Sequence, residues 1–124
     1  MNKGEDNWDL RKRTMDFALR IIRLCVTLPN TPEGWAIRKQ LIKSGTSPGA
    51  HYREAHRARS TAEFVSKLEC GLQELDETCY WLELLVESGI VPQDRLADLT
   101  DEANQLTAIL VTCVKNAKRI KDEG

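Results

Sequence analysis

The side chains best equipped for chemistry in this chain are His51, Glu54 and His56, which recur within about one and a half helical turns. Imidazole and carboxylate groups at such spacing bind divalent metals, and di-iron bundles do so with a Glu-x-x-His motif on two helices plus a glutamate from each of the other two. The sequence holds only 2 histidines, so no second motif of that kind can be assembled. No metal centre is expected. Glu54 is instead expected to bond a neighbouring helix end or arginine, and His51 to pack at a helix seam.

Nucleophilic chemistry has no better footing. Ser44, Ser47 and Ser60 lack the glycine-flanked elbow that exposes a catalytic serine. Cys25, Cys70, Cys79 and Cys113 stand singly, with no Cys-x-x-Cys pair for zinc and no adjacent histidine to lower a thiol pKa. They read as reduced thiols packed as small hydrophobes. Gly45-Thr46-Ser47-Pro48-Gly49 has the glycines of a phosphate loop but not its Gly-Lys-Ser/Thr end. The acid pair Asp76 and Glu77 reads as a solvated helix face. Neither an enzyme nor a cofactor is expected, and no catalytic residue is assigned.

The charged residues carry more. Residues 1–59 hold 12 Lys and Arg against 6 Asp and Glu, whereas residues 60–114 hold 2 against 11. Arg11, Lys12 and Arg13 open one helical segment, Arg53, Arg57 and Arg59 close another, and Lys115, Lys118, Arg119 and Lys121 end the last. In an up-and-down bundle those places meet at one end, which becomes a candidate surface for RNA or DNA phosphates, with affinity that falls steeply with salt. The opposing possibility is that these charges pair between helices or complement helix dipoles. No aromatic platform for stacking bases is evident beside the arginines, which limits the case for a single-strand site.

Four amphipathic segments must position these groups. Leu10, Phe17, Ile21, Leu24 and Leu28, with Thr14 in the gap, mark a helix over about 9–28 that Pro29 ends. Thr31-Pro32-Glu33 caps and starts a second over about 32–57, with the stripe Ile37, Leu41, Ser44, Pro48 and Tyr52 or Ala55. Its apolar stripe becomes a small-residue stripe at Ser44, Gly45, Ser47 and Gly49, the mark of a tight packing seam, extended here by Tyr52, Glu54 and Trp81. Pro48 should kink this helix or split it around a loop at Gly45–Gly49; the pattern resumes in phase beyond it, which favours one kinked helix. The capping box Ser60 to Glu63 opens a third helix over about 61–88, with Phe64, Leu68, Leu72, Leu75, Cys79, Leu82 and Val86 as its seam, Val65, Trp81, Leu84 and Leu85 widening the buried face, and Gly89 as its stop. Pro92 opens a fourth over about 92–121, seamed by Leu96, Leu99, Ala103, Leu106, Leu110, Cys113, Ala117 and Ile120. An all-α, antiparallel up-and-down four-helix bundle follows, as a single domain over 1–124. Trp35, Tyr80, Trp81, Leu84 and Leu85 lie outside the single seams, and a second apolar face on a small bundle points to a homo-oligomer or a protein partner. No apolar run approaches the ~18 residues of a membrane span, and Glu5, Asp6 and Asp9 do not suit a signal peptide. A cytoplasmic protein is expected.

The run Gln40-Leu41-Ile42-Lys43-Ser44-Gly45-Thr46-Ser47, followed by Gly49-Ala50, Tyr52-Arg53-Glu54-Ala55, Arg57-Ala58-Arg59-Ser60, Ala62-Glu63-Phe64 and Tyr80-Trp81-Leu82-Glu83-Leu84-Leu85, resembles the four-helix-bundle proteins encoded in intervening sequences of bacterial 23S rRNA genes. More distantly it is similar to the accessory proteins of diversity-generating retroelements, whose basic surfaces engage nucleic acid. The resemblance implies a homopentamer without enzymatic activity. It also implies a small apolar residue at position 48 and Asn at 51, where this chain has Pro48 and His51. On this reading, bulky residues at Gly45 and Gly49 should break assembly.

Overall fold

The computed structural model describes residues 3–123, with side chains from Asp9 to Ile120. Its helices are α1 (Lys3–Thr27), α2 (Pro32–Ala55), α3 (Thr61–Glu87) and α4 (Gln93–Glu123), and no strand occurs among the described residues. Local chemistry sets most of the boundaries. Thr31 caps α2 with its hydroxyl accepting the Gly34 amide at 3.1 Å, and Pro32 starts the helix where a missing N–H costs nothing. Ser60 accepts the Glu63 amide at 3.1 Å in the same way. The Glu63 carboxylate returns to the Arg59 amide rather than to that of Ser60, so the capping box closes one residue early. Gly89, at φ 78°, takes the left-handed conformation after α3 that only glycine adopts cheaply.

The core is one cluster fed by all four helices. Leu10, Phe17, Ile21, Leu24 and Leu28 of the first segment are buried as their spacing requires, as are Leu96, Leu99, Ala103, Leu106 and Leu110 of α4. On α3 the buried line is Val65, Leu68, Gly71, Leu75, Thr78, Leu82 and Leu85. It is rotated from the spacing-based seam: Phe64, Leu72, Cys79 and Val86 flank the core rather than fill it. Two small positions, Gly71 and Thr78, cause the shift, because they let α2 approach where a larger side chain would hold it off. At the far end of α4, Val114 is buried and Ile120 is exposed, so the seam drifts off the core over the last turns.

Helix α2 runs through Pro48 as one α-helix, not as two helices around a loop. Pro48 is buried, and its carbonyl lies 3.8 Å from where a Cβ on Gly71 would stand. The small-residue stretch therefore serves packing inside the chain. A Cβ on Gly45 would fall 2.6 Å from an Ile21 carbon, and one on Gly49 would fall 3.2 Å from the Thr14 hydroxyl. As numbering rises along α2 it falls along α1, so the two helices meet in opposite senses. On the other side of α2, Thr78 donates to the Ser44 hydroxyl at 2.9 Å in the buried seam with α3. Helix α1 thus packs mainly on α2 and only lightly on α4.

Candidate functional site

Each chain segment bearing the basic residues reaches the same cleft. Leu10 from α1, Tyr52 and His56 from the end of α2, Phe64 from α3, and Asn116, Ala117 and Ile120 from α4 line a space of about 620 Å³ together with the connection Ala58-Arg59-Ser60. This is the bundle end at which α1 and α3 begin and α2 and α4 finish.

The predicted cations divide into two groups there. Lys12 bonds Asp16 at 2.7 Å and Lys118 lies 3.3 Å from Glu69, both in exposed pairs of the kind that contribute little to stability. Arg13 is a brace: its guanidinium donates to both Glu102 oxygens, at 2.6 and 3.2 Å, and to Gln105, tying α1 to α4. The hydrogen bond to Glu102 holds its pKa above the usual arginine value. Arg53, Arg57, Arg59, Lys115 and Arg119, by contrast, have no carboxylate within ion-pair distance among the described residues. Of these, Arg57, Arg59, Lys115 and Arg119 are exposed and Arg53 is half-buried. Arg11 is half-buried, and its positive charge is felt at His56. The side chain of Lys121 lies outside the described residues.

The seam residues also separate. Ser44, Gly45 and Tyr52 are buried within the chain; Ser47 is half-buried and donates to the Lys43 carbonyl at 2.5 Å. Glu54 is exposed and bonds Lys67 at 2.8 Å, which draws its pKa below the usual carboxylate value. His51 Nδ1 sits 3.9 Å from Glu54, too far for a hydrogen bond, and is buried without a partner among the described residues, as is the indole N–H of half-buried Trp81. His56 points elsewhere, edge-on to Tyr52 and Phe64 with ring centroids 4.6 and 5.7 Å away. Among the described residues no three His, Cys, Asp or Glu side chains converge on a point where a metal could sit. The described cysteines form no disulfide; burial pushes the Cys25 thiol up to about 11, against a smaller pull from Arg38, and burial also raises Cys79. Thiols so placed stay protonated and are poor nucleophiles.

Sequence reasoning missed three features. Arg38 reaches back to donate to the carbonyls of Cys25 at 2.9 Å and Leu28 at 2.7 Å, capping α1, which has no basic residue in its own last turn. The edge-on aromatic group of buried Tyr52, exposed His56 and half-buried Phe64 lines the same cleft as Arg59; its signal was the aromatics on either side of the five-residue connection 56–60. Finally, Met15, Leu19, Ile22 and Val26 form an exposed apolar row on α1, 45, 38, 41 and 77% accessible, opposite the core row. Its 4,3,4 spacing was in the sequence all along. Helix α2 adds exposed Trp35 and Ile42, whereas Trp81 and Leu84 are half-buried and Leu85 belongs to the core.

Residues 6–112 match the profile of the family described as 23S rRNA-intervening sequence protein. The chain belongs to that family. A crystal structure of a protein of unknown function from the S23 ribosomal protein family of Bacteroides thetaiotaomicron is similar to it, with 34% identity and a TM-score of 0.81 over 86% of this chain and 98% of that one. No curated protein matches. Membership accounts for the four-helix architecture and assigns no reaction. Within the described residues of this family member, no helix is long and apolar enough to cross a membrane.

Proposed function

We propose that this chain is a non-enzymatic building block that associates with copies of itself through the outer face of α1 and α2 and offers its repeated basic ends to nucleic acid. The observation that carries the reading is the row Met15, Leu19, Ile22 and Val26. Four large apolar side chains in register are left in water by a helix that has already filled its core face, and Trp35 and Ile42 of α2 are exposed as well. Burying such a row yields roughly 25 cal/mol for each Å² removed from water, and a repeated interface closes into a ring. Five copies, the number that the sequence resemblance implies, would bring Arg57, Arg59, Lys115 and Arg119 together five times over. The cytoplasm is the proposed place of work, which suits a chain whose described cysteines form no disulfide.

Light-scattering mass across a salt series, with and without a structured RNA, tests this reading. The expected result is an oligomer that gains mass with RNA at low salt and releases it at high salt. Replacing Arg53, Arg57 and Arg59 together by alanine should abolish that gain and leave the oligomer whole. Should the triple variant fall to monomer, the arginines belong to the subunit interface. An oligomer indifferent to RNA would turn the same apolar face into the seat of a different protein.

A further inference from the structure

The cleft at the basic end has a composition that a phosphate-binding surface alone does not need. Its walls are apolar or aromatic, from Leu10, Tyr52, Phe64 and Ile120, and among the described residues no carboxylate lines it. Among the described lining residues the side chain with a fixed charge is exposed Arg59, and Arg57 is exposed on the same connection. Asn116 lies in the lining with an amide that makes no hydrogen bond to any described residue, so both a donor and an acceptor are available at one edge. His56, set edge-on between Tyr52 and Phe64, is itself exposed and gives the mouth an aromatic rim. About 620 Å³ lies within the range of small-molecule sites.

A flat apolar body, hydrogen-bonding atoms on its edge and an adjacent negative charge would each find a match here. Of the components of a nucleic acid, an unstacked nucleotide has all three. We propose that this cleft receives a single unstacked nucleobase of an RNA strand, packed against His56 and Phe64, hydrogen-bonded at its edge by Asn116, with a flanking phosphate on Arg59. The proposal rests on the reading of the basic end as a nucleic-acid surface and adds a preference to it: single strands or bulged bases over paired ones. An aliphatic anion could use the apolar wall and Arg59, but it would leave the Asn116 amide without a role.

The test is fluorescence anisotropy of a labelled single-stranded RNA decamer and of the matching duplex, titrated with the full chain at low and moderate salt. Ala117→Phe fills the cleft; Asn116→Ala removes the edge contact at an exposed position, so the folded state survives even if the first variant melts. Both should weaken single-strand binding about tenfold, the scale of losing one base stack, with duplex binding and the salt dependence unchanged. Single-strand affinity that ignores both variants overturns the cleft proposal and leaves the basic end standing. Absence of binding to either RNA at low salt overturns both. Displacement of the decamer by dodecanoate but not by adenosine monophosphate would also overturn it, since the occupant would then be an aliphatic anion.

Discussion

Two stretches of this molecule carry helical patterns that a plain amphipathic helix does not need, and they end differently. The small-residue stretch of α2, from Ser44 to Gly49, is used up inside the chain: Gly45 meets Ile21, Gly49 meets Thr14, and Ser44 accepts a hydrogen bond from Thr78. The apolar row of α1, from Met15 to Val26, is left over, with Val26 77% accessible. Close approach between backbones is what small residues supply, and one neighbouring helix satisfies it. Apolar area needs a covering surface, and α1 has given its inner face to α2 and the core. The stretch that draws the eye in the sequence therefore builds the subunit, while the plainer row faces outward.

That contrast can be broken from either side. Gly45→Leu should have the largest effect, because even a Cβ would stand 2.6 to 3.0 Å from three Ile21 carbons. A loss of about 3 kcal/mol or more is expected in a denaturant melt, as a loss of fold and not of assembly alone, and melting together with mass distinguishes the two. Gly45 and Gly49 are expected at a packing seam whose disruption breaks assembly, and the contacts with Ile21 and Thr14 place that seam inside the chain. Ile22→Gln combined with Val26→Gln should change stability by only about 1 kcal/mol yet bring the scattering mass down to the 14.1 kDa of one chain. A variant that melts early would place the row in the subunit core instead.

The smallest effect concerns pH at the cleft. Burial, and then the positive charge of Arg11, hold His56 below the ordinary histidine value. The unfolded chain therefore takes up this proton more readily than the folded one. The stabilising contribution is complete above about pH 6.5 and is lost as pH falls through that value towards the depressed folded one. A thermal midpoint that drops between pH 7.5 and 5.5, with a smaller drop in His56→Gln, is the expected outcome. Glu54, lowered chiefly by its hydrogen bond to Lys67, should lose its contribution at more acid pH, as pH falls through the ordinary carboxylate value towards the depressed folded one.

Much of the fold was legible because helices declare themselves locally. The caps at Thr31 and Ser60, the stop at Gly89 and the core rows of α1 and α4 follow from residue type and from a period of 3.6. The α3 seam was misplaced because Phe64, Leu72 and Cys79 outweigh Gly71 and Thr78 in hydrophobicity, while the fold values the smaller pair for the room they leave to α2. Of the candidate site, the list of cations could be read in the sequence. Which of them are already committed could not, since Arg13 and Glu102 are 89 positions apart.

The sequence by itself determined four helices and most of their caps, because each of these depends on neighbours within one or two turns. Tertiary structure decided what each surplus was for. It gave the glycines of α2 to the bundle, Arg13 to a brace and Arg38 to the end of α1, and it gathered His56, Phe64 and Asn116 around one cleft. Those outcomes depend on which helix faces which and at what height, and side chains far apart along the chain share a site only once that packing is fixed.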